Sequence, residues 1–172
     1  MVVFVVLLFA PMLFQHVIIG RKNIDYEKKN KRALLLFFLM LTALVALRRE
    51  DVGTDTGNYI HLFENYSTMT WRDVENVSLE LGFSYFNKIV LIFTKEPQLF
   101  LAVMAIVTIA MMYPTYKRLC EDASLTIVLF CIMSTFLVMF SGIRQMLAVG
   151  IGFIAYEFTR KNKLIPFILM VF

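Results

Sequence analysis

The chain has 172 residues, of which 59% are hydrophobic and 17% charged, with a strongly positive mean hydropathy. A soluble domain is nearer half apolar and a quarter charged, so the excess must be covered by something other than water, and the composition predicts an integral membrane protein. The net charge of +4 lies in short clusters suited to anionic lipid headgroups. No basic tract is interleaved with aromatics, which excludes a nucleic-acid binder.

The first predicted element is Val2–Gly20. Nothing basic precedes it, whereas Arg21 and Lys22 follow. That is the pattern of a retained spanning helix ending inside, not of a cleaved signal peptide. A span needs about 20 largely apolar residues, fewer where Lys and Arg snorkel at its ends. Ala33–Leu47 is short but bracketed by Lys31, Arg32, Arg48 and Arg49. Pro97–Tyr116, Ser124–Phe140 and Gly142–Phe158 complete the spans, and Leu164–Phe172 begins a sixth. The fold class expected is an all-α integral membrane protein: a polytopic helical bundle with five complete spans and the start of another.

Lys and Arg collect in 21–32, 117–123 and 159–163, which places those loops in the cytoplasm and the N-terminus outside. The loop 48–96 is then external. It is acid-rich, holding Glu50, Asp51, Asp55, Glu64, Asp73, Glu75 and Glu80. Within it, Leu81–Thr94 is apolar but short and interrupted by Asn87 and Lys88, so it reads as an interfacial or re-entrant helix. The chain stops inside an apolar run, as the front part of a longer protein would. Residues 1–172 form a single membrane domain without internal repeats. Cys120 and Cys131 fall at different predicted depths and have no ligand partners at zinc spacing, so both are expected to be reduced thiols.

The segment from Arg49 to Tyr59 is unusually polar for such a chain. Gly53 permits a sharp turn, and Thr54 or Asp55 suits a helix cap. Tyr59, Leu62, Phe63 and Tyr66 recur at helical spacing and predict an amphipathic helix on the membrane surface. Asp55 is therefore either a cap or a functional carboxylate, and Glu80 either a hydrated helix start or a group aimed into an outward cavity. Arg144, in Ser141-Gly-Ile-Arg-Gln145, puts a guanidinium near the outer end of a span. It is either functional or a residue snorkelling to lipid phosphates. Gly142, Ala148 and Gly152 mark the expected packed face of that helix.

The remaining polar residues carry less. Gln15 and His16 are expected to hydrogen-bond between helices, and His61 lies on the surface helix with no ligand partner nearby. Asn65-Tyr-Ser67 and Asn76-Val-Ser78 match a frequent glycosylation pattern. Trp71, between Thr70 as a cap and Asp73, reads as an interface anchor. No metal-ligand spacing is present, and no cofactor is expected.

Arg49-x-x-Val-Gly-Thr-Asp55 with Tyr59 and Phe63, Glu80-x-Gly-Phe83, and Ser141-Gly-Ile-Arg-Gln145 with Ala148 together resemble the EpsG-like family of Wzy-type polysaccharide polymerases. The three motifs stand in the family's order across about residues 48–150. In that family a Phe-His-x-Ser-Ala-like stretch and further spans follow, so the resemblance implies that the chain corresponds to the N-terminal half, and the C-terminal half is expected to be missing from it.

The resemblance implies a polymerase of the bacterial cytoplasmic membrane for exopolysaccharide, capsule or O-antigen. It would join polyprenyl-diphosphate-linked oligosaccharide repeat units on the outer face. Its partners would be that substrate, membrane lipid and other polysaccharide-assembly membrane proteins. In that chemistry Arg144, with Arg49 as second choice, would hold the diphosphate, and Asp55 or Glu80 would accept the proton of the attacking hydroxyl. Tyr59 and Trp71 would stack on sugar faces, with Gln145 beside them as a further substrate contact. A transporter or flippase for lipid-linked saccharides, and a truncated non-catalytic assembly subunit, are the alternatives.

Overall fold

The computed structural model describes residues 26–77, 80–133 and 135–171. Among them the chain forms helices and no strand: α1 (Tyr26–Ala46), α2 (Thr56–Thr68), a short 3-10 turn (Asp73–Asn76), α3 (Leu81–Phe93), α4 (Pro97–Leu119), α5 (Ala123–Ile132), α6 (Thr135–Ser141), α7 (Ile143–Arg160) and α8 (Leu164–Val171). Val2–Gly20, Gln15, His16 and Ser78 of the second glycosylation pattern lie outside the described residues.

α4 is the axis of the fold. Pro97 opens it, where the missing N–H costs nothing, and Lys117 and Arg118 close it against the negative end of the helix dipole. α1 and α7 both pack on α4, and α8 packs on α7. Among the described residues α4 alone is long and apolar enough to cross a membrane as a single helix.

The other expected spans differ from their sequence outlines. α1 begins at Tyr26, so Lys28, Lys29, Lys31 and Arg32 are helical and not part of a loop. α4 runs through Lys117 and Arg118, so little of 117–123 is loop. α7 carries Arg144, Glu157 and Arg160 within its own length.

Ser124–Phe140 is not one straight helix. α5 and α6 meet at 57° and satisfy the length and hydropathy of a span only as a pair. Met133 is extended at the break (φ −69°, ψ 148°), with neither Gly nor Pro to announce it. The bend is matched by tertiary bonds: the carbonyls of Met139 and Phe140 on α6 accept from Arg48 and Thr56.

Two apolar clusters fill the interior. Leu34, Phe37, Phe38 and Leu41 of α1 meet Met112 of α4 and Ile127 and Phe130 of α5. Phe38 stands edge-on to Tyr113 and Phe130, ring centroids 5.8 Å away in each case. Such pairs add about 0.5–1.5 kcal/mol each beyond burial. The second cluster joins Ile60 and Phe63 of α2, Phe83 of α3, Phe100, Leu101 and Met104 of α4, and Ile143 and Leu147 of α7. Phe63 stacks on Phe100 at 4.3 Å.

Polar staples tie the surface helices to this frame. Gln98 donates to the carbonyls of Ala46 (2.6 Å) and Arg48 (3.2 Å), covering the open end of α1. Lys88 of α3 donates to the carbonyls of Tyr66 (3.0 Å) and Met69 (2.8 Å) at the end of α2. The Tyr66 and Ser84 hydroxyls are 2.6 Å apart. At the opposite end Asp122 caps α5, accepting from the Leu125 N–H at 2.9 Å and from the Tyr26 hydroxyl at 3.0 Å. Those bonds, the backbone one first, hold its carboxyl below the usual range.

The packed face of α7 is the predicted one only at Gly142, which is buried. Ala148 and Gly152 are exposed, whereas Ile143, Met146, Leu147 and Gly150 are buried. A Cβ on Gly150 would lie 2.7 Å from Met111 Cε. Both cysteines are free thiols, Cys131 buried and Cys120 half-buried.

Candidate functional site

Arg48 leaves the end of α1 pointing inward. Its Nη1 donates to the Met139 carbonyl at 2.9 Å, and the residue keeps only 5% of its exposure. The chain then turns at Gly53, whose φ of +96° lies in the region open to glycine. A Cβ there would come within 2.0 Å of the Phe140 carbonyl oxygen, so two backbones touch at this point. The Thr56 hydroxyl lies 2.8 Å from the Val52 carbonyl and 3.1 Å from that of Phe140. The polar segment after α1 is therefore seated on the end of α6.

Gly142 follows α6 and starts α7, so Arg144 emerges one turn from that seat. Its Nη1 donates to Glu80 Oε2 at 2.8 Å, across 64 residues of sequence. The pair is open to solvent: the Arg144 side chain is 34% and that of Glu80 66% exposed. Beneath it, Ile60, Phe63, Phe83 and Ile143 share one apolar cluster, and Tyr59 packs edge-on to Phe83 at 5.9 Å. Residues from all three sequence motifs thus build one surface over a common floor.

Asp55 and Glu80 occupy the positions before α2 and α3, yet neither carboxylate makes a capping hydrogen bond. For Asp55 this removes the cap reading, since the Thr56 hydroxyl bonds the loop instead. Arg49 stands apart. It is largely exposed and pairs with its own neighbour Asp51 at 3.4 Å, a contact worth little in water. Gln145 is exposed beside Arg144 and folds its amide oxygen against Gly142. His61 Nδ1 lies 3.5 Å from Glu64 on the same exposed helix face.

Trp71 is placed elsewhere. It stacks on Tyr85 (6.3 Å, 19° between planes), with Lys88 Nζ 5.6 Å from its ring centroid. Thr70 and Asp73 bracket it reciprocally: Asp73 Oδ2 accepts from the Thr70 N–H at 2.8 Å and hydroxyl at 2.7 Å. The hydroxyl bond is the leading cause that holds the Asp73 carboxyl below its usual range.

Sequence reasoning missed Arg48, reading it as a snorkelling anchor. Burial pushes its guanidinium down to about 10, and its Nε has no hydrogen-bond partner among the described residues. A signal existed: Leu34, Phe38, Leu41 and Val45 mark the buried stripe of α1, and position 48 continues that spacing. Among the described residues no three His, Cys, Asp or Glu side chains gather as metal ligands.

A sequence model described as the EpsG family matches residues 31–172. No curated protein and no solved structure matches the chain.

Proposed function

The chain belongs to the EpsG family, and from that premise we propose that it is a membrane-embedded polysaccharide polymerase. In this reading it is a polytopic protein of the bacterial cytoplasmic membrane. It joins polyprenyl-diphosphate-linked oligosaccharide repeat units on the outer face. The observation that carries the reading is the exposed Arg144–Glu80 pair at the meeting point of the motifs.

The pair suits the two ends of the reaction. The acceptor hydroxyl oxygen bonds to the anomeric carbon of the donor sugar as the bond from that carbon to the diphosphate oxygen breaks. The bonding electrons leave with the polyprenyl diphosphate, and the hydroxyl proton must go to a base. Arg144 has five N–H donors in a planar fork, and one is engaged by Glu80. The others are suited to the charge that gathers on the departing diphosphate, where paired donors are strongest. Glu80, exposed and hydrogen-bonded to Arg144, is the base for the acceptor hydroxyl, with the half-buried Asp55 as second candidate. Tyr59 and Gln145 flank the pair as sugar contacts. Arg49 recedes to a secondary role, since it faces solvent with Asp51.

Reconstituted protein given a lipid-linked repeat unit, with no ion gradient, tests the proposal. Growing polymer ladders are the expected product. Movement of the lipid-linked substrate across the bilayer without elongation would instead make the protein a flippase.

A further inference from the structure

A cavity of about 150 Å³ opens toward the C-terminal end of α3, whereas Glu80 precedes its start; it is lined by Ser67, Trp71, Lys88, Leu91, Ile92 and Lys95. We propose that it seats the phosphate ester headgroup of an anionic membrane lipid, independently of the polymerase reading.

The donors favour an anion. Lys88 is buried, and its ammonium spends two of three N–H groups on the Tyr66 and Met69 carbonyls while lying near the face of Trp71. One N–H is left for a ligand. Lys95 is exposed, and neither it nor the Trp71 indole N–H has a hydrogen-bond partner among the described residues. No carboxylate lines the cavity: the nearby Asp73 is turned to Thr70, and Glu96 lies outside the lining. The contrast is the roughly 500 Å³ cavity at the other end of the bundle, where Glu27 and Glu121 stand among Lys31, Lys117 and Arg118 and offset them.

The surroundings favour a lipid over a free ion. Ile89, Ile92 and Phe93 are exposed on the same short helix, Phe93 by 83%. Lys95 stands just ahead of Pro97, where the one helix among the described residues that is long and apolar enough to span begins. Cations at that level, with apolar side chains beside them, match a phosphate at the headgroup layer and tails along α3.

Trp71 is the single tryptophan of the 172 residues, so its fluorescence reads the cavity directly. The chain is placed in phosphatidylcholine nanodiscs and titrated with phosphatidylglycerol or with a prenyl phosphate. A saturable change in emission is expected. Lys95→Gln should raise the half-saturating lipid fraction about fivefold, the ~1 kcal/mol that one cation near an anionic surface supplies. Added salt should act in the same direction, and Lys117→Gln, in the cavity at the other end of the bundle, should leave the titration unchanged. Response to both lipids assigns the seat to anionic phosphate headgroups in general, as distinct from the zwitterionic background lipid; response to the prenyl phosphate alone assigns it to the prenyl carrier. No saturable change, or a Lys95→Gln titration identical to wild type, overturns the proposal. So does inorganic phosphate acting as well as either lipid at equal concentration.

Discussion

α7 carries an ion pair at each end, and the two are built differently. Near its start Arg144 meets Glu80 from a surface segment, and both are open to solvent. Near its end Glu157 pairs with Arg118 of α4, and Thr115 adds a hydroxyl bond at 3.0 Å. There the glutamate is only 20% exposed against 66% for Glu80, while the two arginines are alike at 31% and 34%. The second pair joins two helices already packed together and behaves as a clamp. The first joins segments that meet only at the motif surface, and its guanidinium keeps donors facing outward. Similar charges therefore do different work according to what their remaining hydrogen-bonding capacity faces.

Substitutions should separate the two ends. The largest effect is expected from Arg144→Ala, with polymer formation falling about 10²–10³-fold, the usual loss when one donor to a developing charge is removed. Its melting temperature should barely move, because an exposed pair contributes under about 1 kcal/mol.

Gly53→Ala strikes the seat beneath the same surface. A positive φ and a Cβ 2.0 Å from the Phe140 oxygen should together cost about 2–3 kcal/mol, read by thermal or denaturant unfolding. Activity per molecule should also fall, since the loop must lift from α6.

Glu157→Gln at the other end should cost about 1.5–3 kcal/mol, the range for hydrogen bonds to charged groups. It should leave polymer yield per folded molecule unchanged, and that combination would break the comparison if reversed.

The smallest effect is expected from Asp122→Ala, about 1 kcal/mol for a lost helix cap. Because the folded-state pKa of Asp122 is lowered, its stabilisation is present above the unfolded value of about 3.9 and lost as pH falls through the folded one. Wild type and variant should therefore converge in melting temperature on acidification below about pH 4.

Local features of this fold were legible in the sequence. The periodicity of Tyr59, Phe63 and Tyr66 announced α2, and Pro97 with Lys117 and Arg118 framed α4. The Thr70–Asp73 bracket around Trp71 was readable from a spacing of three. What escaped depends on contacts between distant segments. The α5–α6 bend has no Gly or Pro and goes with donors supplied by Arg48 and Thr56. Which of two adjacent arginines turns inward was decided by the seat on Met139, leaving Arg49 to solvent. Glu80 and Arg144 were each singled out, but nothing local pairs residues 64 positions apart. The small residues of α7 misled for a related reason. Ala148 and Gly152 could serve a packed face, yet the bulky neighbours Ile143, Met146 and Leu147 took it.

The most direct test puts Arg144→Ala, Glu80→Gln, Arg49→Ala and Glu157→Gln into the gene in its native cell. Polymer length and yield are then measured per folded molecule. The account predicts that the first two lose polymer while Arg49→Ala and Glu157→Gln retain it. Full-length polymer from Arg144→Ala together with loss in Arg49→Ala would contradict it.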